Sequence, residues 1–390
     1  MSQNKIYLVV TPFFPEPDDF RGPYVLDQVK ALMRVSDYEV VVVKPYSFWK
    51  RADDYMIDGV RVLRCPLWSL PSNVLPNGLS DALSVLSLKH KLKKTGIVLS
   101  DIVACHSHVA SMGFYSVVLQ KSVDSCKGIV QHHGFDVMGI SDGVFAKMKW
   151  HEKLCIRRGV RICNAVYLNV GVSHKVLEYL RSYSGVILQD EYVLYNGVDS
   201  TKFYPEQGKA KNDKFTIGCI ANFWPLKDQM TLIKAVERLV ADGQKDLFVR
   251  FIGTGETRCG CEKYVAEHGM NNYFCFEDEV AHDHLLVFYQ SLDLFVLPSY
   301  WEAFGCVYTE AYACGVPFIG VKGQGISEMI PVKDQDRWLI NKGDDKGLAE
   351  LIAEFIHSPC PQQLSNAYKI DDLVGRYVDY FAHSQPRSCT

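Results

Sequence analysis

Short apolar runs alternate with stretches of helical periodicity along the chain. Residues 6–10 and 39–44 are apolar runs of strand length, and over 25–35 apolar positions recur at the spacing of one helix face. The same order returns at 215–221 and 230–240. Strands that alternate with helices form parallel sheets covered by helices, so the pattern predicts an α/β fold.

Polar residues follow several of these runs where each strand is expected to end. The run 102–104 leads to His106 and His108, and the run 129–130 leads to His133. The carboxyl ends of parallel strands share one edge of a sheet, so these loops are expected to gather there. His106 and His108 could chelate a metal, but no third ligand stands in register, and no metal is expected.

The second half contains a strand-to-helix turn. The apolar run 292–297 ends at Pro298, and Phe304-Gly305 begins a helix that ends near Gly315. The free N–H groups and the dipole of a helix N-terminus attract phosphate, and a glycine lets a ligand approach the backbone closely. This turn is therefore a candidate anion site.

Two carboxylates flank this turn. Glu302 precedes the helix and Glu310 lies within it, with seven residues between them. Carboxylates accept strongly from O–H donors, so a loop acid could hold sugar hydroxyls while a helix acid holds a ribose. Acids are also favoured at helix N-termini by the dipole alone, and the two residues by themselves leave both interpretations open.

Size and composition predict two domains. The chain has 390 residues, 48% of them apolar, which exceeds one ordinary core and favours two domains of roughly 150 to 200 residues each. The polar stretch 206–214 is the expected linker.

Charge argues against nucleic acid as a partner, because the formal net charge is only −3. The distribution is uneven: residues 1–200 carry 23 Lys and Arg against 19 Asp and Glu, or +4, and the remainder carries −7. The first half could favour an anionic acceptor or a membrane surface.

Thirteen scattered cysteines and a polar start without a secretory pattern favour a cytoplasmic location. Because the sequence offers no apolar run of about 20 residues, any membrane contact is expected to be peripheral, on the inner face. Two segments, 83–94 and 147–161, combine apolar and basic residues as interfacial helices do. Such a stripe is more often a core face with a solvated back.

The strand-to-helix turn carries a long motif of fixed spacing. It reads Pro-Ser-x-x-Glu-x-Phe-Gly-x-x-x-x-Glu-Ala, followed by Gly-x-Pro, over 298–317. It resembles the E-x7-E signature of retaining glycosyltransferases of family 4, among the group 1 glycosyltransferases. The segment 193–205 likewise resembles their Asn-Gly-Val-Asp-x-x-x-Phe-x-Pro element, and the His-Gly pair at His133 resembles their His-Gly element.

The resemblance implies the GT-B fold, an α/β architecture of two Rossmann-like parallel-sheet domains facing a cleft. It implies an acceptor-side domain at 1–205, a donor-nucleotide domain at 206–370, and a terminal helix and tail at 371–390 that returns to the first domain.

The resemblance also implies site residues and a donor site without a bound metal or other cofactor. It assigns catalytic roles to Glu302, His133 and Lys227. It places a nucleoside-diphosphate sugar against six further residues: Glu310, Gly305, Phe304, Gly22, Asn222 and Ser299.

The chain departs from the family pattern at the diphosphate. The usual Arg is missing, since Asn222 or Trp224 stands in its place, and Arg258 is a further candidate cation. Two cations neutralise a leaving diphosphate better than one, so the departure bears directly on catalysis. In the loop after the first strand only Gly22 matches the family's Gly-Gly pair.

The function implied is retaining transfer of a monosaccharide from a nucleoside-diphosphate sugar to a hydroxyl of a glycan or lipid-linked glycan, as in polysaccharide biosynthesis. The main alternative is a non-catalytic subunit that binds a sugar nucleotide or glycan. A hydrolase using Glu302 and Glu310 is a weaker rival. A nicotinamide oxidoreductase is disfavoured because the loop after the first strand lacks G-x-G-x-x-G.

Overall fold

The structure is a computed structural model that describes residues 5–16, 21–68, 78–138, 150, 158–159, 161–183, 185–208, 212–365 and 367–384. Its contacts divide the chain into two units. Unit 1 comprises residues 1–196 and 370–390, and unit 2 comprises residues 197–369. The divisions expected at 205 and 370 differ from these by nine residues and one residue.

Unit 1 is built on one large sheet. Within the described residues its strands are β1 (Ile6–Val10), β2 (Glu39–Ser47), β3 (Tyr55–Ile57), β4 (Val60–Leu67), β5 (Ile102–His108), β6 (Lys127–His132), β7 (Leu168–Gly171) and β8 (Glu191–Val193). They are arranged in the order β3-β4-β2-β1-β5-β6-β7-β8. Only the β3–β4 pair is antiparallel among them.

Helices pack on this sheet. Those in the described residues before residue 196 are α1 (Pro23–Val35), α2 (Gly78–Lys94), α3 (Gly113–Ser122), α4 (Phe135–Met138) and α5 (His174–Ser182). All five residues of β1 are buried, as expected for a central strand covered on both faces. Helix α5 begins at Ser173, whose side chain accepts the N–H of Val176 at 3.2 Å, a typical N-cap.

Unit 2 repeats the architecture on a smaller scale. Its strands in the described residues are β9 (Phe215–Ile220), β10 (Leu247–Ile252), β11 (Phe274–Glu277), β12 (Leu294–Val296), β13 (Phe318–Val321) and β14 (Leu339–Ile340). They pair in parallel in the order β11-β10-β9-β12-β13-β14. The helices described are α6 (Gln229–Ala241), α7 (Arg258–Glu267), α8 (Leu285–Gln290), α9 (Cys306–Ala313), α10 (Gln335–Trp338) and α11 (Asp345–His357).

The last helix, α12 (Ile370–His383), belongs to unit 1. Its buried residues recur at helical spacing: Ile370, Leu373, Val374, Tyr377 and Phe381. The hydroxyl of Tyr377 lies 2.6 Å from that of Tyr7 in β1, and Arg34 of α1 contacts the Asp371 carboxylate at 2.6 Å. The final helix thus completes the packing around the first strand.

The expected α/β class with two Rossmann-like parallel sheets is confirmed, whereas several elements differ in detail. The β3–β4 hairpin was not predicted, although its turn, Asp58-Gly59, is a strong hairpin signal: both residues have positive φ, 49° and 79°. Residues Gly325–Met329, after β13, form a 3-10 helix. No helix among the described residues is both long and apolar enough to cross a membrane.

Each sheet has a topological switch point. In unit 1 the chain builds outward from β1 in one direction and restarts with β5 on the other side of β1. In unit 2 the same reversal occurs between β9 and β12. Where the loops after two adjacent parallel strands run in opposite directions, a crevice forms between them, and ligands bind there. The predicted site residues lie on loops or helices that follow these strands or their neighbours.

Candidate functional site

Lys227 and Glu302 form an ion pair at the switch point of unit 2. Lys227 follows β9 and Glu302 follows β12, and Nζ of Lys227 lies 2.5 Å from Oε1 of Glu302. The two side chains are 20% and 12% exposed. Each charge therefore offsets the other in a largely buried setting, and an anion that binds Lys227 must share or displace this carboxylate.

Two hydrogen bonds hold these loops together. The backbone N–H of Tyr300 and the hydroxyl of Ser299 both donate to the carbonyl of Leu226, each at 3.1 Å. Ser299 is fully buried. Its hydroxyl fixes the loop that carries Lys227, while the donor contact expected of Ser299 stays a prediction.

The turn before α9 depends on a glycine. Gly305 is the N-cap with φ 91°, and a Cβ there would lie 2.7 Å from ring atoms of Tyr308. Because its N-cap is a glycine, this eight-residue helix has no capping side chain at that position, and helix N-termini favour phosphate. Phe304 is 1% exposed, and the donor contact expected of it stays a prediction.

Residues after β13 support the same loop. The side-chain oxygen of Gln324 accepts the backbone N–H of Glu302 at 2.8 Å. A Cβ on Gly325 would lie 2.0 Å from the carbonyl oxygen of Ala303, so only glycine permits this close approach. Sequence reasoning gave Gln324 no role, because a lone glutamine in a loop carries no signal of what it contacts.

Glu310 is held by two partners. His282 Nε2 lies 3.0 Å from Oε1 of Glu310, and the Tyr289 hydroxyl donates to Oε2 at 2.7 Å. Glu310 is 7% exposed, and it raises further the pKa of Tyr289, which burial already raises. Each carboxylate oxygen keeps a lone pair for a further donor. Neither His282 nor Tyr289 was predicted, since their partner lies more than 20 residues away in sequence.

The position of the missing Arg is occupied by exposed residues. Asn222 is exposed and Trp224 is 47% exposed. Arg258, the other candidate cation, donates to the carboxylates of Glu262 and Asp278 and to three main-chain carbonyls, those of Gly253, Phe276 and Glu277. Its charge is therefore already paired within the unit 2 fold.

In unit 1, Gly22 is the N-cap of α1 with φ 88°, and a Cβ there would lie 2.5 Å from the carbonyl oxygen of Phe13. The loop after β1 therefore needs glycine for its own path. Two residues further on, the ring of Tyr24 lies 4.9 Å from the ring of His133. The structure thus brings the loops after β1 and β6 together.

Asp136 fixes the turn that carries His133. One carboxylate oxygen accepts the backbone N–H groups of His133 and Gly134 at 3.1 and 3.2 Å, and the other accepts that of Ala110 and lies 3.0 Å from His132 Nδ1. Burial alone would raise the pKa of Asp136, but these bonds and the nearby imidazoles lower it. Sequence reasoning missed this role, although an acid two residues after His-Gly is a turn signal.

His132 and His133 are adjacent in sequence, but their pKa values are shifted in opposite directions. Burial alone would lower the pKa of His132, but Cys163 and the Asp136 carboxylate raise it well above the usual value. Burial lowers the pKa of His133 to about 4, and Asp136 offsets only part of that effect. At neutral pH His132 is therefore the charged partner of Asp136, and His133 is a neutral imidazole.

His133 ends a stack of three imidazoles. His108 Nδ1 lies 2.9 Å from His133 Nε2, and their rings are stacked with centroids 5.1 Å apart. The ring of His106 stacks on that of His108 at 4.6 Å, and His106 Nδ1 lies 2.8 Å from the Tyr7 hydroxyl. His133 Nδ1 is buried and has no hydrogen-bond partner among the described residues.

The described residues contain no group of three or more His, Cys, Asp or Glu side chains placed to hold a metal ion. The expectation of a site without metal or cofactor stays a prediction. The nine predicted site residues fall in two sets. His133 and Gly22 belong to unit 1, and the other seven belong to unit 2: Lys227, Glu302, Glu310, Gly305, Phe304, Asn222 and Ser299.

Comparison with known proteins finds similar sequences for the second half of the chain. Residues 200–370 match the family model described as glycosyl transferases group 1. One curated relative, N-acetyl-alpha-D-glucosaminyl L-malate synthase of Bacillus anthracis, is 32% identical over 164 residues, which cover 41% of this chain and 40% of that protein. The chain thus spans about two fifths of the length of the curated relatives it matches.

Solved structures extend the likeness to both units. Sucrose-phosphate synthase from Thermosynechococcus elongatus superimposes with a TM-score of 0.70 at 18% identity, covering 97% of this chain and 95% of that one. HepE from Anabaena, solved in complex with UDP and glucose, gives 0.68 at 16% identity, covering 97% and 100%. The chain has the two-sheet fold of GT-B glycosyltransferases, and over residues 200–370 it is similar to the glycosyl transferases of group 1.

Proposed function

We propose that this protein transfers a monosaccharide, with retention of configuration, from a nucleoside-diphosphate sugar to a hydroxyl of a glycan or lipid-linked glycan. The proposal assigns the chain to family 4 of the glycosyltransferases and to polysaccharide biosynthesis. HepE, solved with UDP and glucose, supports a nucleotide-linked donor. The relative from Bacillus anthracis is named as an N-acetyl-alpha-D-glucosaminyl L-malate synthase, and malate carries a hydroxyl group, which supports a hydroxyl as the acceptor.

One observation carries the proposal. Within unit 2, Lys227 is paired with Glu302 beside the N-terminus of α9, whose N-cap is Gly305. A lysine and a helix N-terminus at one switch point form an anion site suited to a diphosphate. Glu302, once released, could accept hydroxyls of the sugar attached to that diphosphate.

Catalysis would then be mainly electrostatic. As the sugar–phosphate bond breaks, negative charge grows on the diphosphate, and Lys227 with the N–H groups before α9 stabilises it. Glu310, held by His282 and Tyr289, would accept the ribose hydroxyls and fix the nucleotide. His133, neutral at pH 7, would hydrogen-bond a hydroxyl without repelling a developing positive charge on the sugar.

Titration calorimetry with UDP-, GDP- and ADP-sugars, followed by mass analysis of reaction mixtures, tests the proposal. We expect heat from at least one donor and a product heavier than the acceptor by one sugar. NMR of the product's anomeric centre then distinguishes retention from inversion. If folded protein gives no heat with any donor, the proposal fails.

The second candidate, a non-catalytic binding subunit, is favoured by one observation: the diphosphate site lacks its usual Arg, and Arg258 is already paired. It predicts donor binding without transfer across a broad acceptor panel. Turnover with any acceptor would exclude it.

The proposal includes a cytoplasmic location with peripheral contact on the inner face of the membrane. A surface of unit 1 supports the membrane contact. Phe48 and Trp68 stack at 4.8 Å and are 38% and 37% exposed, Trp49 is 48% exposed, and Leu86 of α2 is 61% exposed. Lys89 lies one turn further along α2. Aromatic and basic residues together suit an anionic bilayer surface. The other candidate segment, 147–161, lies largely outside the described residues.

Vesicle sedimentation tests this contact. We expect binding to vesicles that contain anionic lipid, less binding to neutral vesicles, and loss of binding in a Trp49→Ser/Leu86→Ser variant. Equal recovery from both kinds of vesicle, or none from either, would exclude the surface.

A further inference from the structure

The histidine stack of unit 1 contains a contact that the proposed function does not explain. His108 is 1% exposed, and its Nδ1 lies 2.9 Å from Nε2 of His133. A buried polar atom is usually paired, so the contact satisfies one nitrogen on each ring. It also leaves His133 with its second nitrogen, Nδ1, buried and unpaired among the described residues.

The proton count of this contact is fixed by chemistry. Burial lowers the pKa of His133 to about 4 and that of His108 well below its usual value, so both rings are neutral at pH 7. A neutral imidazole carries one N–H and one bare nitrogen. A hydrogen bond between two such rings therefore holds one proton, and the protonation of His133 Nδ1 is the reverse of that of its Nε2.

We propose that His108 is a positioning residue that shares one proton with His133 between His108 Nδ1 and His133 Nε2, and so sets the tautomer in which His133 presents Nδ1 to a substrate hydroxyl. If His108 donates, Nδ1 of His133 is a donor, and if His108 accepts, Nδ1 is a bare acceptor. The substrate part of this statement rests on the proposed function, whereas the tautomer part does not.

The surroundings of His108 suit this role. His106 stacks on its far side and is itself anchored by the Tyr7 hydroxyl, which is bonded in turn to Tyr377. On the near side, Asp136 fixes the main chain of His133 through the N–H groups of His133 and Gly134. The main chain that carries the His133 ring is therefore fixed. Among the described residues, His108 is the group bonded to Nε2 of that ring.

The first experiment needs no substrate. In protein labelled with ¹⁵N-histidine, long-range ¹H–¹⁵N spectra distinguish protonated from bare ring nitrogens, and His133→Gln identifies the signals of His133. At pH 7 we expect His133 in a single neutral tautomer in the wild type and in a changed or mixed tautomer in His108→Leu. An imidazolium or a mixture in the wild type, or an unchanged spectrum in His108→Leu, would overturn the proposal.

Matched variants separate this role from mere packing. His108→Asn keeps an amide near the position of Nδ1, whereas His108→Leu removes hydrogen bonding at similar volume. His106→Leu is the control, because His106 is equally buried on the same strand but bonds Tyr7 and not His133. We expect the His133 tautomer to keep its wild-type pattern in His106→Leu and His108→Asn. If all three variants change it alike, His108 only packs.

Kinetics adds the link to function. With a donor sugar that the wild type turns over, we expect kcat/KM to fall roughly a hundredfold in His108→Leu, the scale of a misplaced catalytic contact. His108→Asn should recover most of that loss, and equal losses in both would overturn the positioning role. If the wild type turns over no sugar nucleotide, the proposed function fails, but the wild-type and His108→Leu spectra still decide the tautomer. If His108→Leu does not fold, His108→Phe removes the same hydrogen bond, and an unchanged His133 tautomer in that variant would overturn the proposal.

Discussion

The carboxyl edges of the two sheets carry opposite kinds of polar groups. In unit 2 the edge is charged: Lys227 pairs with Glu302, and Glu310 is held by His282 and Tyr289. In unit 1 the edge carries neutral imidazoles, since burial keeps the pKa of His106 at about 3 and that of His133 at about 4. Charge suits an anionic diphosphate, and neutral nitrogens suit uncharged hydroxyls.

The difference arises from what surrounds each edge. In unit 1 the imidazoles of His106, His108 and His133 stack on one another, and burial makes their protonation unfavourable. In unit 2 the carboxylates are also largely buried, but each has a donor in direct contact. The same topological position can therefore be built for two different ligand chemistries, and the following changes test that division.

The largest effect is expected at Lys227. Lys227→Ala removes the predicted cation of the diphosphate site, and loss of one such group costs about 10²- to 10³-fold in turnover. Steady-state kinetics should show this loss. Lys234→Ala, an exposed lysine on the adjacent helix α6, is the control and should stay within about twofold of wild type. Equal losses in both variants would contradict a specific charge role for Lys227.

The next largest effects are expected at Glu302 and Glu310, and substitutions at the two positions should change donor binding in opposite directions. Glu302→Gln removes the partner of Lys227, so nucleoside diphosphate should bind several-fold more tightly while transfer falls about a hundredfold. Glu310→Gln removes an ionised acceptor for the ribose, so nucleoside diphosphate should bind more weakly, by about tenfold. Calorimetry with UDP or ADP and transfer assays measure both quantities. Identical changes in the two variants would show that the carboxylates share one role.

Asp136→Asn tests the charged pair inside the otherwise neutral edge. The carboxylate accepts three backbone N–H groups and pairs with His132, and breaking a buried pair costs about 3 to 5 kcal/mol. Urea unfolding should show a loss on this scale. Asp371→Asn, at the exposed contact with Arg34, is the control and should change the free energy of unfolding by less than about 1 kcal/mol. A small loss for Asp136→Asn would mean that the pair is not formed.

The response to acid tests the neutral imidazoles themselves. His106, His108 and His133 have folded pKa values below the usual value, so below about pH 6.5 the unfolded chain binds more protons than the folded one. Stability is then full above pH 6.5 and falls as pH drops towards 4, by up to about 1.4 kcal/mol per unit for each histidine. Hydrogen exchange at pH 7 and pH 5 should show more opening in β5 and β6 at the lower pH. A His106→Leu variant should respond less, and no change in wild type would contradict the neutral stack.

The sequence predicted the fold further than it predicted the site. Buried strands such as β1 and the periodic helices α1 and α12 follow from local pattern, because burial on one or both faces dictates their residues. The fixed spacing around Glu302 also identified the turn before α9. The β3–β4 hairpin was not predicted, although the Asp58-Gly59 pair is a sequence signal for a hairpin turn.

The rest of the site depends on contacts between residues distant in sequence. Gln324 reaches Glu302 over 22 residues, and His108 reaches His133 over 25. His106 and His108 were noticed as a chelating pair, whereas their rings are stacked and each bonds a different partner. Pattern along one chain shows which residues are polar at a strand end, but the partner of each side chain is set by tertiary packing.

The return of α12 makes unit 2 an insertion within unit 1. Its residues, 197–369, form one continuous stretch, whereas unit 1 needs residues on both sides of that stretch, and Tyr7 meets Tyr377 across 370 positions. During synthesis the ribosome releases all of unit 2 before Tyr377 emerges, and domains generally fold as units when their residues are available. Unit 2 can thus mature first, while the histidine-bearing sheet must wait for its closing helix.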